Sequence, residues 1–186
     1  VLKEKNGIEV DAGQIIDMIN ETSYAVSRDE TRPALMGILW EIKGDQLTLV
    51  ATDAHRLARS TRTMDWDVGG DRDLIVDTAG LRHRPRSVGA MAESGDEPAK
   101  VTILMGDNQL SVRAGACVLH TRLLEGPVPD YNAVIPQDND KDVTLDKAEF
   151  AQTIRRVSIT ADRITSQIKL GIESGRMEMS ARGTEG

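Results

Sequence analysis

The densest chemistry in this chain lies in Val50-Ala51-Thr52-Asp53-Ala54-His55-Arg56-Leu57-Ala58, where a carboxylate, an imidazole and a guanidinium fall within four residues. Asp53 and His55 have the donor types of a metal site or an acid–base pair, the chemistry of a metal-dependent phosphohydrolase. The rest of the chain does not supply the companions that such a site needs. Its three histidines are His55, His83 and His120, with no HxH or HExxH spacing. There is no Gly-rich phosphate loop and no serine in a nucleophile elbow. Cys117 is the single cysteine, which excludes an internal disulfide and a multi-cysteine metal site. Its place in an alternating segment predicts a buried structural thiol. No catalytic residue, metal or cofactor is therefore expected. The plainer reading of Asp53-Ala54-His55-Arg56 is a strand-to-strand turn whose polar groups bond the backbone.

The elements that would carry this turn follow a repeat. Ile8-Glu9-Val10-Asp11 alternates like a short strand and ends in a helix N-cap residue. Ala12, Ile15, Ile16, Ile19 and Val26 then recur at helical spacing. Val143-Thr144-Leu145-Asp146 repeats strand and cap, with Glu149 placed for a capping box. Phe150, Ile154, Val157 and Ala161 form the second apolar stripe. Two alternating runs follow each helix. Leu35 to Ile42 turns at Lys43-Gly44-Asp45 into Leu47 to Ala51, and Ile168 to Ile172 turns at Glu173-Ser174-Gly175-Arg176 into Met177 to Ala181.

Between the copies, Leu74-Ile75-Val76 reads as a strand and Thr78 to Glu93 as a less regular helix. Val101 to Met105 and Gln109 to Ala114 form a hairpin across Gly106-Asp107-Asn108, and Cys117 to Leu124 is a last strand. The pattern predicts an α+β protein of repeated domains, each with two helices packed on antiparallel sheets. Residues 1–136 form one complete unit, the polar segment 137–142 is a connector, and 143–186 is the first part of a second unit. Val1 to Asn6 reads as the tail of a connector from an earlier domain.

Composition bounds the function. The 186 residues are 39% hydrophobic and 28% charged but only 3% aromatic, so an aliphatic core is expected. No apolar run is long enough for a membrane span and no signal segment opens the chain, which points to a reducing, cytoplasmic home away from membranes. The formal net charge of −7 argues against tight, sequence-specific DNA binding. It is compatible with a few clustered cations holding DNA weakly through its phosphates, which carry no sequence information directly.

Three separated stretches then combine: Arg32-Pro33-Ala34-Leu35-Met36-Gly37, the Val50–Ala58 segment, and Glu125-Gly126-Pro127-Val128-Pro129-Asp130-Tyr131-Asn132-Ala133-Val134-Ile135-Pro136. In this order, with strands filling the gaps, they resemble the bacterial sliding clamp, the beta subunit of DNA polymerase III. The resemblance implies the DNA-clamp fold, with 1–136 matching the middle domain and 143–186 the beginning of the third. It further implies a non-catalytic processivity factor that encircles duplex DNA and tethers its partners. Those partners are the DNA polymerase III catalytic subunit, the clamp loader, and other polymerases and repair proteins bearing short Leu/Phe motifs. In the family, two protomers of three domains close a homodimeric ring, which this chain is not expected to close by itself.

By the same resemblance, Leu35, Thr52, Ala54, His55, Arg56, Leu57, Pro129 and Val134 line a peptide-binding groove at the boundary between the middle and third domains. Such a groove is a small apolar pocket for a few anchors with polar groups at its rim. Ala54 stands where family members often have Gly, and Ala133 where they often have a basic residue. The family groove also draws on residues at the far C-terminus, so weaker peptide affinity is expected here. Arg28 and Arg32, on the loop after the first helix, and Arg82, Arg84 and Arg86, on the second, correspond to DNA-facing positions. Lys147, Arg155 and Arg156 are further candidates on the third-domain helix. Pro85 either opens the second helix or kinks it. Two alternatives stay open: a free-standing peptide-binding adaptor that never encircles DNA, and the phosphohydrolase.

Overall fold

The computed structural model describes residues 7–77, 100–127, 130–163 and 165–183. Its contacts divide the chain into two units, Val1–Asp130 and Tyr131–Gly186. Each is described by itself.

The first unit opens with strand β1 (Ile8–Asp11), whose last residue is also the N-cap of helix α1 (Ala12–Thr22). The Asp11 carboxylate accepts from the Gln14 amide at 3.1 Å, satisfying one of the helix's unpaired first-turn donors. Ala12, Ile15, Met18 and Thr22 are buried along one face. The helix ends before Val26, which was expected to continue the stripe. The Thr22 hydroxyl donates back to the Met18 carbonyl at 2.8 Å, and the chain tightens into a 3-10 turn, Ser23–Ala25. Val26 is still buried, but from an extended backbone.

A second 3-10 turn, Pro33–Leu35, has Pro33 at its first position. Strand β2 (Gly37–Lys43) therefore starts two residues later than alternation alone suggests. It pairs on one side with β3 (Gln46–Thr52) and on the other with β5 (Arg72–Asp77). β4 (Leu57–Thr63) pairs with β3, giving an antiparallel sheet in the order β4-β3-β2-β5. The apolar pattern of β4 is thin (LARSTRT), since only its Ala58 and Ser60 are buried. The second sheet, β1-β6-β7-β8, adds β6 (Lys100–Met105), β7 (Gln109–Ala114) and β8 (Cys117–Arg122), again all antiparallel.

The two sheets meet where Leu123 bridges Val76 and the Leu124 amide donates to the Ile75 carbonyl at 2.8 Å. Ile38, Trp40 and Ile42 of β2, with Leu47, Leu49 and Ala51 of β3, point into one core with α1, Val101, Ile103 and Leu110. Their alternate spacing is the two-residue period of a strand with a buried face. Cys117 is half-buried rather than buried, because β8 ends its sheet's order. The expected helix over 78–93 lies outside the described residues.

The second unit holds a 3-10 turn, Tyr131–Val134, helix α2 (Lys147–Ser158) and a hairpin of β9 (Lys169–Glu173) and β10 (Arg176–Ser180). Asp146 caps α2 by accepting from the Glu149 amide at 2.8 Å. Ala161 lies beyond the helix end rather than in its stripe. Val143-Thr144-Leu145, expected as a strand, is not one. No described strand lies beside it to pair with, and a strand needs a neighbour to take its amides and carbonyls. Among the described residues, no helix is long and apolar enough to cross a membrane.

Candidate functional site

Antiparallel pairing brings distant residues of the first unit to one end of one sheet. Thr52, the last residue of β3, lies opposite Leu57, the first of β4. Gly37, the first of β2, lies opposite Asp77, the last of β5. Leu35 precedes Gly37 by two residues, so Leu35, Thr52 and Leu57 arrive at the same sheet end. All three side chains are half-buried, as they must be to present apolar surface from a packed base.

The turn between β3 and β4 is built by its own side chains. Asp53 Oδ1 accepts from the amides of His55 and Arg56, each at 3.0 Å, and Asp53 Oδ2 accepts from Arg56 Nε at 3.1 Å. The His55 amide hydrogen bond, with those from Arg56 and its positive charge, holds the Asp53 carboxyl below its ordinary range. The Thr52 hydroxyl donates to the Arg56 carbonyl at 2.8 Å and accepts from the Ala54 amide at 3.2 Å. Ala54 has φ +75°, in the left-handed region. There a Cβ costs energy that glycine would avoid. Ala54, His55 and Arg56 are exposed. The Asp53 carboxylate is thus committed to the turn, and it bonds the His55 amide rather than its ring.

The first and third stretches also meet. The Leu35 carbonyl accepts from the Ser27 amide at 2.9 Å, tying the loop after α1 to the 3-10 turn. A Cβ added to Gly126, at φ +152°, would stand 2.8 Å from Ala34 Cβ, so the Glu125-Gly126-Pro127 backbone runs directly over that turn. Within the loop, Asp29 accepts from the Thr31 hydroxyl at 2.6 Å and amide at 3.0 Å, and pairs with Arg32 Nε at 3.2 Å. The Thr31 hydroxyl, then its amide, with Arg32, hold the Asp29 carboxyl low.

Of the remaining expected residues, Val134 is on the second unit's 3-10 turn and 68% exposed, and Pro129 lies outside the described residues. Arg28 is exposed, whereas Arg32 is engaged by Asp29. Arg82, Arg84 and Arg86 lie outside the described residues.

Sequence reasoning did not pick out Tyr24. It is 60% exposed, and the Arg56 guanidinium carbon lies 5.9 Å from its ring centroid. The available signal was composition: an aromatic directly after a helix, in a chain with only two tyrosines. Sequence spacing also hid a cross-strand pair, Ser111 Oγ and His120 Nδ1 at 2.7 Å. Among the described residues, no further hydrogen bond orients that imidazole, as a nucleophile–base pair would require. No three His, Cys, Asp or Glu side chains among the described residues converge as metal ligands.

Comparison with known proteins covers both units. Residues 9–130 match the family model for the DNA polymerase III beta subunit, central domain, and 132–186 that for its C-terminal domain. The beta sliding clamp of Caulobacter vibrioides (strain NA1000 / CB15N) is 33% identical over 184 residues, 96% of this chain and 47% of the relative. The crystal structure of the Bacillus subtilis DNA polymerase sliding clamp aligns with TM-score 0.88 and 27% identity, over 100% of this chain and 48% of that one. The Pseudomonas aeruginosa DNA polymerase sliding clamp aligns with TM-score 0.86 and 25% identity, over 97% and 48%. The chain spans about half the length of the curated relatives it matches.

Proposed function

Because the chain belongs to the DNA polymerase III beta-subunit family, we propose that it is part of a DNA sliding clamp, a processivity factor without catalytic chemistry of its own. On this reading residues 1–136 are the middle clamp domain, 137–142 the connector, and 143–186 part of the third domain. The ring is a homodimer of the longer protein, works in the cytoplasm, and encircles duplex DNA without reading its sequence. Its grip on partners is a peptide groove to which Leu35, Thr52, Leu57, Pro129 and Val134 contribute apolar surface, with Ala54, His55 and Arg56 at the rim. The groove takes Leu and Phe side chains from the polymerase III catalytic subunit, the clamp loader, and other polymerases and repair proteins. Tethering then replaces repeated diffusional capture by a high effective concentration at the primer end.

One observation carries the reading: sheet pairing delivers Leu35, Thr52 and Leu57 to a single sheet end beside a turn that holds its own shape. Arg28, Arg32, Arg82, Arg84 and Arg86 are the proposed DNA-facing cations. Against the phosphohydrolase, both Asp53 carboxylate oxygens already serve the turn, so a metal at Asp53 and His55 would have to break it.

The test is binding of a labelled polymerase-tail peptide to the chain and to Leu35→Asp. A loss of about thirtyfold is expected when a charge replaces a hot-spot anchor, an effect of about 2 kcal/mol. Unchanged affinity removes Leu35 and its neighbours from the site. For the longer protein, release from circular DNA on linearisation separates the ring from a free-standing adaptor.

A further inference from the structure

We infer that Tyr24 is a positioning residue for peptide recognition: its ring holds the Arg56 guanidinium in place, so that the terminal amino groups meet a hydrogen-bond acceptor on the bound peptide. The inference rests on the peptide-groove reading above and adds a residue to it.

Arg56 has the features of a side chain set in advance. Its Nε is spent on Asp53 Oδ2 at 3.1 Å, a contact within its own turn. Its guanidinium carbon lies 5.9 Å from the Tyr24 ring centroid, a contact from a different element. At that distance the electron-rich ring face attracts the cation. Within the described residues, neither terminal amino group makes a hydrogen bond, so the donors that best match a carbonyl or carboxylate are left for a ligand. The side chain is nonetheless 59% exposed, and an exposed arginine held only by its own turn loses rotamer freedom on meeting a partner. A second, independent contact reduces that loss.

Tyr24 itself is hard to explain as packing. Ala25, Val26 and Ser27 directly after it are buried, yet Tyr24 stays 60% exposed, in a chain that spends few aromatics anywhere. Its segment is tied to the turn that carries Leu35, since the Ser27 amide donates to the Leu35 carbonyl at 2.9 Å. The same short segment thus touches both the turn of the apolar anchor residue and the rim cation. A two-point contact, one greasy and one polar, needs a set spacing.

The experiment is a double-mutant cycle on the 186-residue chain with the labelled polymerase-tail peptide. It uses Tyr24→Leu, Arg56→Ala and the double variant, with Leu35→Asp as the site control and thermal melts alongside. Tyr24→Leu keeps apolar bulk but removes the ring face, and is expected to weaken binding about two- to fivefold at an unchanged melting temperature. Tyr24→Phe keeps the ring and is expected to bind as the parent does. In the Arg56→Ala background, Tyr24→Leu should have no further effect. Additive losses, or parental affinity in Tyr24→Leu while Leu35→Asp still weakens binding, would overturn the role given to Tyr24 and leave the groove standing. A Leu35→Asp variant that binds normally defeats the groove reading, and this inference with it.

Discussion

The two helices that open the repeated pattern share a local code and differ in their surroundings. α1 and α2 each begin at an aspartate whose carboxylate accepts from the amide three residues on, at 3.1 and 2.8 Å. α1 buries Ala12, Ile15, Met18 and Thr22, whereas α2 has no buried residue. The preceding segments diverge in the same way. Ile8–Asp11 is a strand because β6 pairs with it, and Val143–Leu145 has no described strand beside it. A cap and an apolar stripe start a helix, but burial comes from the sheet it meets.

The largest test of this contrast is a pair of core truncations. Trp40→Ala, at the centre of the first unit's core, should cost about 3–5 kcal/mol, as large aromatic deletions do. Phe150→Ala, on the half-buried stripe of α2, should cost under about 1 kcal/mol. Urea titrations measure both, with Trp66 fluorescence following the first unit and far-ultraviolet circular dichroism the second. Equal losses would show that the two units are equally well packed.

A smaller effect is expected from the caps. Asp11→Ala and Asp146→Ala each remove an N-cap acceptor worth about 1 kcal/mol. The first should lower the unfolding midpoint of the whole first unit. The second should chiefly speed amide exchange in α2, because less packing couples that helix to anything else.

The turns offer a finer comparison. β9 and β10 are joined through Gly175 at φ +72°, while the β3–β4 turn sets Ala54 at φ +75°. Ala54→Gly should therefore stabilise the first unit by up to about 1 kcal/mol, the left-handed penalty less the added freedom of the unfolded chain. A destabilised variant would mean that the Ala54 methyl makes contacts worth more than the strain.

The smallest effect is acid sensitivity. Glu21, Asp29 and Asp53 all belong to the first unit. Ser60's hydroxyl, with Arg62, holds Glu21 below its ordinary range, as Thr31 and the His55 amide do for Asp29 and Asp53. A carboxylate held low stabilises the fold above its unfolded value and loses that contribution as pH falls through its folded value. Stability should be flat near neutrality and decline only below the ordinary carboxylate range. Fluorescence of Trp40 and Trp66, the chain's two tryptophans and both in the first unit, reports the decline. Its midpoint should move upward in Asp53→Asn only if the turn is coupled to the core.

Much of the architecture was legible in one dimension. The hairpins at Gly44 and Gly175, both N-caps, the alternation of β2 and β3 and the lack of metal-ligand spacing all follow from rules that act over a few neighbouring residues. The Arg32–Gly37, Val50–Ala58 and Glu125–Pro136 stretches carried the family. Other features depended on partners far along the chain. Ile8–Asp11 became a strand where Val143–Leu145 did not, and Cys117 fell on an edge strand. Above all, the arrival of Leu35, Thr52 and Leu57 at one sheet end, and the approach of Arg56 to Tyr24, follow from strand register and from segments that only folding brings together. Periodicity fixes which face a residue takes, but only pairing in three dimensions selects what stands opposite it.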